Sequence, residues 1–254
     1  MKALKESNKM VDPRVNIINK RLKDVKRVIA VSSGKGGVGK SLVASTLALT
    51  LADKGYKVGL FDADFTSPST HRILGIKKLQ IKEEKGIIPS LVHGIKYMSI
   101  VAFSGEKALP LRGVDISNAL IELLSTTLWG GLDFLIIDMP PGISDVTLDL
   151  IKLVKKMEFL IVSTPSLLAW ETVKKLLTLI KELKVPVLGV IENMKTKKET
   201  SIKNLAVATG VSFFGEIPFD PEIEDALGNA ASLSQTVFAG KMAEIALKII
   251  FPQA

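Results

Sequence analysis

The sequence predicts an α/β fold: one doubly wound, mostly parallel sheet with helices on both faces. Three observations predict it. Strand-like apolar runs alternate with stretches of helical periodicity along the chain. Several runs (VIAVS, FLIID, FLIVS, VLGVI) are apolar at nearly every position, as strands buried on both faces are. The stretch AVSSGKGGVGKSLVAS, 30–45, places a glycine-rich loop between one such run and a helical segment. The chain has 254 residues, 47% of them hydrophobic, which is enough to fill one sizeable core.

Residues 1–25 read as a basic, partly helical lead-in, and 26–254 as a single domain. A first strand at Val28–Ser33 precedes a helix at Lys40–Lys54, and a second at Lys57–Asp62 ends on an acidic residue. Residues 76–94, IKKLQIKEEKGIIPSLVHG, hold neither period and predict an irregular excursion or hairpin before a strand at Ile95–Val101. A helix at Asp115–Leu128, a strand at Asp133–Asp138 and a helix at Val146–Lys156 follow. Next come the strand–helix pairs Glu158–Thr164 with Leu167–Leu183, and Pro186–Glu192 with Ser201–Thr209. The last strand, Val211–Gly215, leads to helices at Pro221–Leu227, stopped by Gly228-Asn229, and Thr236–Ile250. Right-handed crossovers fold such a chain into one sheet whose ligands bind at the carboxyl ends of the strands.

Composition narrows the function classes. There is no cysteine, which removes disulfides, thiolate metal sites and cysteine nucleophiles together. His71 and His93 stand alone and form no metal-ligand pattern. The net charge of +8 is spread over small groups such as Lys20-Arg21, Lys77-Lys78 and Lys155-Lys156, without interleaved aromatics. That pattern reads as a solvated surface, with non-specific attraction to nucleic acid as the sharper alternative. No apolar run is long enough to cross a bilayer, and the first residues lack the apolar core of a secretory signal, so the expected location is the cytoplasm. The amphipathic stretch 240–250 reads as a core-packed helix rather than a membrane anchor.

Gly34-Lys35-Gly36-Gly37-Val38-Gly39-Lys40-Ser41 matches the phosphate-loop pattern G-x-x-x-x-G-K-[ST] in its proper strand–loop–helix setting. The glycines let backbone N–H groups converge on phosphate oxygens, Lys40 neutralises the β- and γ-phosphates, and Ser41 offers its hydroxyl to Mg2+. Asp62 and Asp64 follow the second strand; in an extended segment their spacing aims both at one face. One can hold a Mg2+-bound water while the other orients the attacking water. Asp138 ends an apolar strand, the form in which a carboxylate reaches Mg2+ through water, and Pro140-Pro141-Gly142 supplies a stiff turn able to sense the γ-phosphate. Together these residues predict a P-loop NTPase fold with ATP or ADP and Mg2+ as cofactors.

The form KGGVGKS, with its additional Lys35, resembles the deviant phosphate loop of the MinD, ParA and Mrp ATPases. The Mrp branch, many of whose members carry iron–sulfur clusters, is similar over about residues 26–226. DADFTSPSTHRILGI, LPLRGVDISNALIELL, WGGLDFLIIDMPPGISDVTL, VSTPSLLAWETVKK, GVIENM and FFGEIPFDPEI follow its motifs in order. The resemblance implies a homodimer that sandwiches ATP, with Lys35 reaching the phosphates of the opposite subunit. It also implies adenine contacts by Asn193 and the loop at Pro218, and places Arg112 beside the active site. Departures from the pattern are Leu42 for a threonine, Ser67 for the switch glycine, and Ile143-Ser144 for Thr-Gly; they imply slow hydrolysis. The carriers' C-x-x-C pair after E-N-M is absent, so no iron–sulfur cluster is expected on this chain alone. Three readings stay open: a Mrp-type ATPase serving iron–sulfur assembly with a cysteine-bearing partner or client, a ParA/MinD-like ATP-switched spatial regulator that holds DNA or membrane, or a nucleotide-dependent adaptor that hydrolyses ATP very slowly.

Overall fold

The computed structural model describes residues 13–105, 113–196 and 202–251. The chain opens with helix α1 (Pro13–Arg21), strand β1 (Val25–Ser33), α2 (Lys40–Asp53), β2 (Val58–Asp62) and the single turn α3 (Thr70–Ile73). The excursion is the hairpin β3 (Lys82–Glu83) and β4 (Ile87–Ile88), followed by β5 (Ser90–Val92), β6 (Ile95–Ser99) and the turn α4 (Val101–Ser104). Then come α5 (Gly113–Thr126), β7 (Leu132–Asp138), α6 (Asp145–Leu153), β8 (Met157–Ser163) and α7 (Leu167–Glu182). The chain continues through β9 (Val187–Lys195), α8 (Ile202–Ala208), β10 (Phe213–Pro218), α9 (Ile223–Ala226), α10 (Ala230–Ser234) and α11 (Val237–Ile250).

The main sheet has eight strands in the order β10-β9-β8-β1-β7-β2-β6-β5. All its pairings are parallel except β5 with β6. Period-2 alternation divides the apolar strands between two cores. In β1, Val28 and Ala30 join one cluster, with Leu120, Leu150 and Val173 from α5, α6 and α7. Ile29 and Val31 face the other, with Leu47 of α2 and Met242 and Ile245 of α11. Helices therefore cover both faces, and α11 buries its apolar side in the core. Among the described residues no helix is long and apolar enough to cross a membrane.

The boundaries that differ from expectation have local causes. Strand β1 begins at Val25 rather than Val28, because Lys26 and Arg27 at its rim pair with Asp133 and Glu158. Helix α1 carries Ile18, which is fully buried, and packs against α5. Strand β6 stops at Ser99 instead of Val101, where the chain turns into α4 and Gly105 ends the turn at φ 60°. The short α3, α4 and α10 offer too few turns for a helical period to show.

Register sets the functional edge: Asp62 of β2 lies opposite Asp138 of β7, which lies opposite Val31 of β1. Beside that edge two glycines meet. Gly75, at φ 67°, has no room for a side chain, since a Cβ there would stand 2.1 Å from the Gly228 carbonyl oxygen. Gly75→Ala is therefore expected to lower the stability of the fold by at least about 1–2 kcal/mol, the left-handed penalty alone, in denaturant melts.

Candidate nucleotide site

The loop from Ser33 to Lys40 is shaped by its glycines. Gly37 (φ 77°) and Gly39 (φ 80°) take left-handed backbone, and Gly39 turns the chain into α2. Gly34 lies so close to α7 that a Cβ would reach 2.3 Å from the Thr172 hydroxyl oxygen. The loop is pinned from both sides. The Ser33 hydroxyl donates to the Lys35 carbonyl (2.9 Å), and Gly142 N–H, after the proline pair, donates to the Ser33 carbonyl (2.9 Å). Asn193 Nδ2 donates to the carbonyl of buried Val38 (2.9 Å), so part of the amide expected to face the base holds the loop instead.

A cavity of about 480 Å3 lies over this loop, bordered by Lys35, Gly36, Gly37, Lys40, Ser41 and Asp64, with Pro141 also on its wall. A narrower cavity of about 130 Å3 adjoins it, lined by Asn193, Pro218 and Phe219. Leu42, Met194, Ile223 and Glu224 border both. The predicted loop residues and the predicted base contacts thus sit on two adjoining compartments. Arg112 lies outside the described residues.

Charge is concentrated behind the wall of the larger cavity. Lys40 Nζ, only 7% exposed, contacts Asp138 Oδ1 at 2.5 Å and the Ser41 hydroxyl at 3.2 Å. Asp138 is fully buried, and among the described residues its Oδ2 has no hydrogen-bond partner. Burial raises the Asp138 carboxyl above its ordinary range, against the lowering effect of Lys40. Asp62 is raised too, first by burial and then by the Asp138 charge.

The two carboxylates expected on one face do different things. β2 ends at Asp62 and the chain turns, so Asp62 is sealed inside while Asp64 borders the cavity. Asp62 Oδ1 accepts from Asp64 N–H (3.1 Å). Its Oδ2 accepts from Ser69 N–H (3.2 Å), Thr70 N–H (3.2 Å) and the Thr70 hydroxyl (2.6 Å). Asp64 Oδ1 accepts from the Thr66 hydroxyl (2.8 Å) and Ser67 N–H (3.1 Å). Thr70, Met194 (φ 58°) and the pair Ile223 and Leu227 were not singled out from the sequence, although all border or brace the site. Thr70 at least stands in the segment that the acidic pair marks.

The donor set fits a hard divalent cation. Mg2+ prefers oxygen ligands and keeps much of its water, and the orphaned Asp138 Oδ2 is a buried acceptor awaiting such a water. Ser41 supplies a hydroxyl on the cavity wall. A glycine loop opening a helix, a buried lysine and an acidic strand end over a two-part cavity define a P-loop nucleotide-binding protein.

The comparisons sharpen that class. Residues 24–251 match the ParA group described as NUBPL iron-transfer P-loop NTPase, and the chain belongs to that family. It is 40% identical to the iron–sulfur cluster carrier protein of Aquifex aeolicus, over 81% of this chain and 61% of that protein. This chain thus matches about three-fifths of the length of that relative. The carrier of Saccharolobus solfataricus is 36% identical, over 88% of this chain and 81% of that one. Among solved structures, a nucleotide-binding protein from Archaeoglobus fulgidus in complex with ADP superposes with a TM-score of 0.74 at 33% identity, covering 87% of this chain and 93% of the other. The cell division ATPase MinD of Pyrococcus furiosus shares the fold, with a TM-score of 0.68 at 22% identity over 89% of this chain and 99% of that one.

Two outcomes follow from the charge arrangement. Lys40→Ala strands buried carboxylates and is expected to cost about 3–5 kcal/mol in denaturant melts and to abolish nucleotide binding. Carboxyls raised in the folded state bind protons that the unfolded chain has released, so they lower stability as pH rises through their folded pKa. Below the ordinary carboxylate range that difference vanishes. In nucleotide-free protein, Asp62→Asn is therefore expected to flatten the decline of stability between the ordinary carboxylate range and about pH 7, measured by urea melts at matched ionic strength.

Proposed function

We propose that the chain is a Mg2+-dependent ATPase, that it closes as a cytoplasmic homodimer around ATP, and that it serves iron–sulfur cluster assembly or transfer without holding a cluster itself. The observation that carries this reading is the buried Lys40–Asp138 pair beside Ser41, at a cavity of about 480 Å3 over the glycine loop. The loop's backbone N–H groups and the start of α2 receive the phosphates, and Lys40 offsets their charge. Ser41 and, through water, Asp138 would hold Mg2+, which when bound shields the β- and γ-phosphates. Asp64, on the cavity wall, is the carboxylate placed to orient the attacking water, while Asp62 fixes the segment that carries it. Asn193 and Pro218 line the compartment that fits the base.

Dimerisation is supported by what surrounds the loop. Val114, Ile143, Leu167 and Leu168, at the start of α5, after the proline turn and at the start of α7, are 49–74% exposed on the carboxyl edge of the sheet. An apolar rim on the edge that carries the loop suits a second copy, and Lys35, which borders this chain's own cavity, would serve the copy's phosphates on closure. Relatives at 36–40% identity are named iron–sulfur cluster carriers. Thiolates hold such clusters, and this chain has no cysteine, so its cargo would stay on a cysteine-bearing partner or client. The similarity to MinD, at 22% identity, concerns the fold, which leaves the carrier-like reading ahead of a spatial switch.

Lys35→Ala is expected to leave nucleotide binding by the monomer intact while removing ATP-dependent dimers in sedimentation and turnover in a phosphate-release assay. Equal turnover by a strictly monomeric wild-type protein would refute the sandwich. Anaerobic incubation with iron and sulfide is expected to load no stoichiometric cluster on the chain alone. ATP is expected to speed transfer of a cluster from a loaded thiolate protein to an apo acceptor; transfer indifferent to this chain would refute the iron–sulfur role.

A further inference from the structure

The carboxylate of Asp62 closes a loop on itself. One oxygen takes the N–H of Asp64 and the other takes both donors of Thr70, so a single side chain ties the start of the 62–70 segment to its end. The Thr70 hydroxyl does not stand alone. It lies 2.8 Å from the Tyr97 hydroxyl on the neighbouring strand β6, and β6 pairs with β2 in a register that sets Tyr97 opposite Leu60. All three side chains are sealed from solvent: Asp62 and Thr70 are 0% exposed and Tyr97 is 1% exposed. Burial and the nearby Asp62 charge raise the Tyr97 phenol, which keeps it a neutral donor. With Tyr97 donating to Thr70, the Thr70 proton is directed at Asp62 Oδ2.

We propose that Thr70 and Tyr97 are positioning residues for hydrolysis: their hydroxyl chain orients Asp62, which in turn fixes the backbone of Asp64 and the angle at which that carboxylate enters the cavity. Neither hydroxyl borders the nucleotide cavity, so both act through Asp62 rather than on the substrate. The geometry distinguishes this from simple packing, because a tyrosine core contact needs only the ring, whereas here the oxygen ends a chain of donors on a buried charge. The assignment rests on the ATPase reading and sharpens it by separating the anchoring carboxylate from the reacting one.

The test compares Thr70→Val, Thr70→Ser, Tyr97→Phe and the Thr70→Val/Tyr97→Phe double variant in steady-state Mg·ATP hydrolysis. Amide exchange across 62–70 is followed with Mg·ADP bound. The expected result is a loss of about 10-fold or more in kcat for Thr70→Val and a smaller loss for Tyr97→Phe, with KM nearly unchanged. Thr70→Ser should restore kcat, the double variant should be no worse than Thr70→Val, and exchange at 62–70 should rise with the losses in kcat. Additive losses, failure of serine to rescue, or a change in KM alone would overturn the proposal. If wild-type protein turns over no ATP, the ATPase reading fails. Exchange at 62–70 then decides the positioning role on its own: slow in wild type and Thr70→Ser and fast in the other variants supports it, and uniform rates refute it.

Discussion

One ammonium group, Lys40, lies among three buried carboxylates, Asp138, Asp62 and Asp64. Burying charge is unfavourable unless it is paired and hydrogen-bonded, and this arrangement is only partly compensated. Asp62 has satisfied its oxygens on neighbouring N–H and hydroxyl groups, whereas Asp138 keeps one oxygen without a partner. Much of the surrounding structure holds these groups in place. The parallel register of β1, β7 and β2 brings Val31, Asp138 and Asp62 into one row. Beyond the strands, Met139 N–H donates to Val31 O (3.0 Å) and Ala63 N–H to Asp138 O (2.9 Å), so the ladder continues past the edge. A site with more buried carboxylate than ammonium favours a divalent ion, and the ion favours a polyphosphate.

The two ends of the cavity are also joined mechanically. Asp62 holds Thr70, the first residue of α3; the carbonyl of Ile73, at its end, accepts from Gly228 N–H (3.1 Å). The segment before Gly228 supplies Ile223 and Leu227 to the cavity wall. On the other side Asn193 grips the Val38 carbonyl, and Glu192, fully buried, takes Lys195 Nζ (3.0 Å) and Ile202 N–H (3.2 Å). Glu192 thus joins the end of β9 to the start of α8.

Much of this was legible in the sequence because the physics there is local. Strands buried on both faces must be continuously apolar, so β1, β7, β8 and β9 declared themselves. Gly34, Gly37 and Gly39 of the loop were legible because only glycine takes the backbone of the last two or fits, at Gly34, beside Thr172. What stayed hidden depends on tertiary contacts. The start of β1 at Val25 rather than Val28 stayed hidden because the partners of Lys26 and Arg27, Asp133 and Glu158, lie far along the chain. Spacing alone gave Asp62 and Asp64 one face; the turn that separates them is made by the side-chain bonds of Asp62 itself. Tyr97 is one aromatic among the apolar residues of a strand, and nothing in IKYMS announces that its hydroxyl meets Thr70.

The central claim is that a magnesium–nucleotide site is built on the unpartnered oxygen of Asp138. Its most direct test is the Mg2+ dependence of ATP affinity, measured by calorimetry in wild-type protein and in Asp138→Asn, which keeps an acceptor for Lys40 but loses the charge. The account predicts that Mg2+ strengthens ATP binding to the wild-type chain and that this gain disappears in Asp138→Asn. An equal gain in both proteins would contradict it.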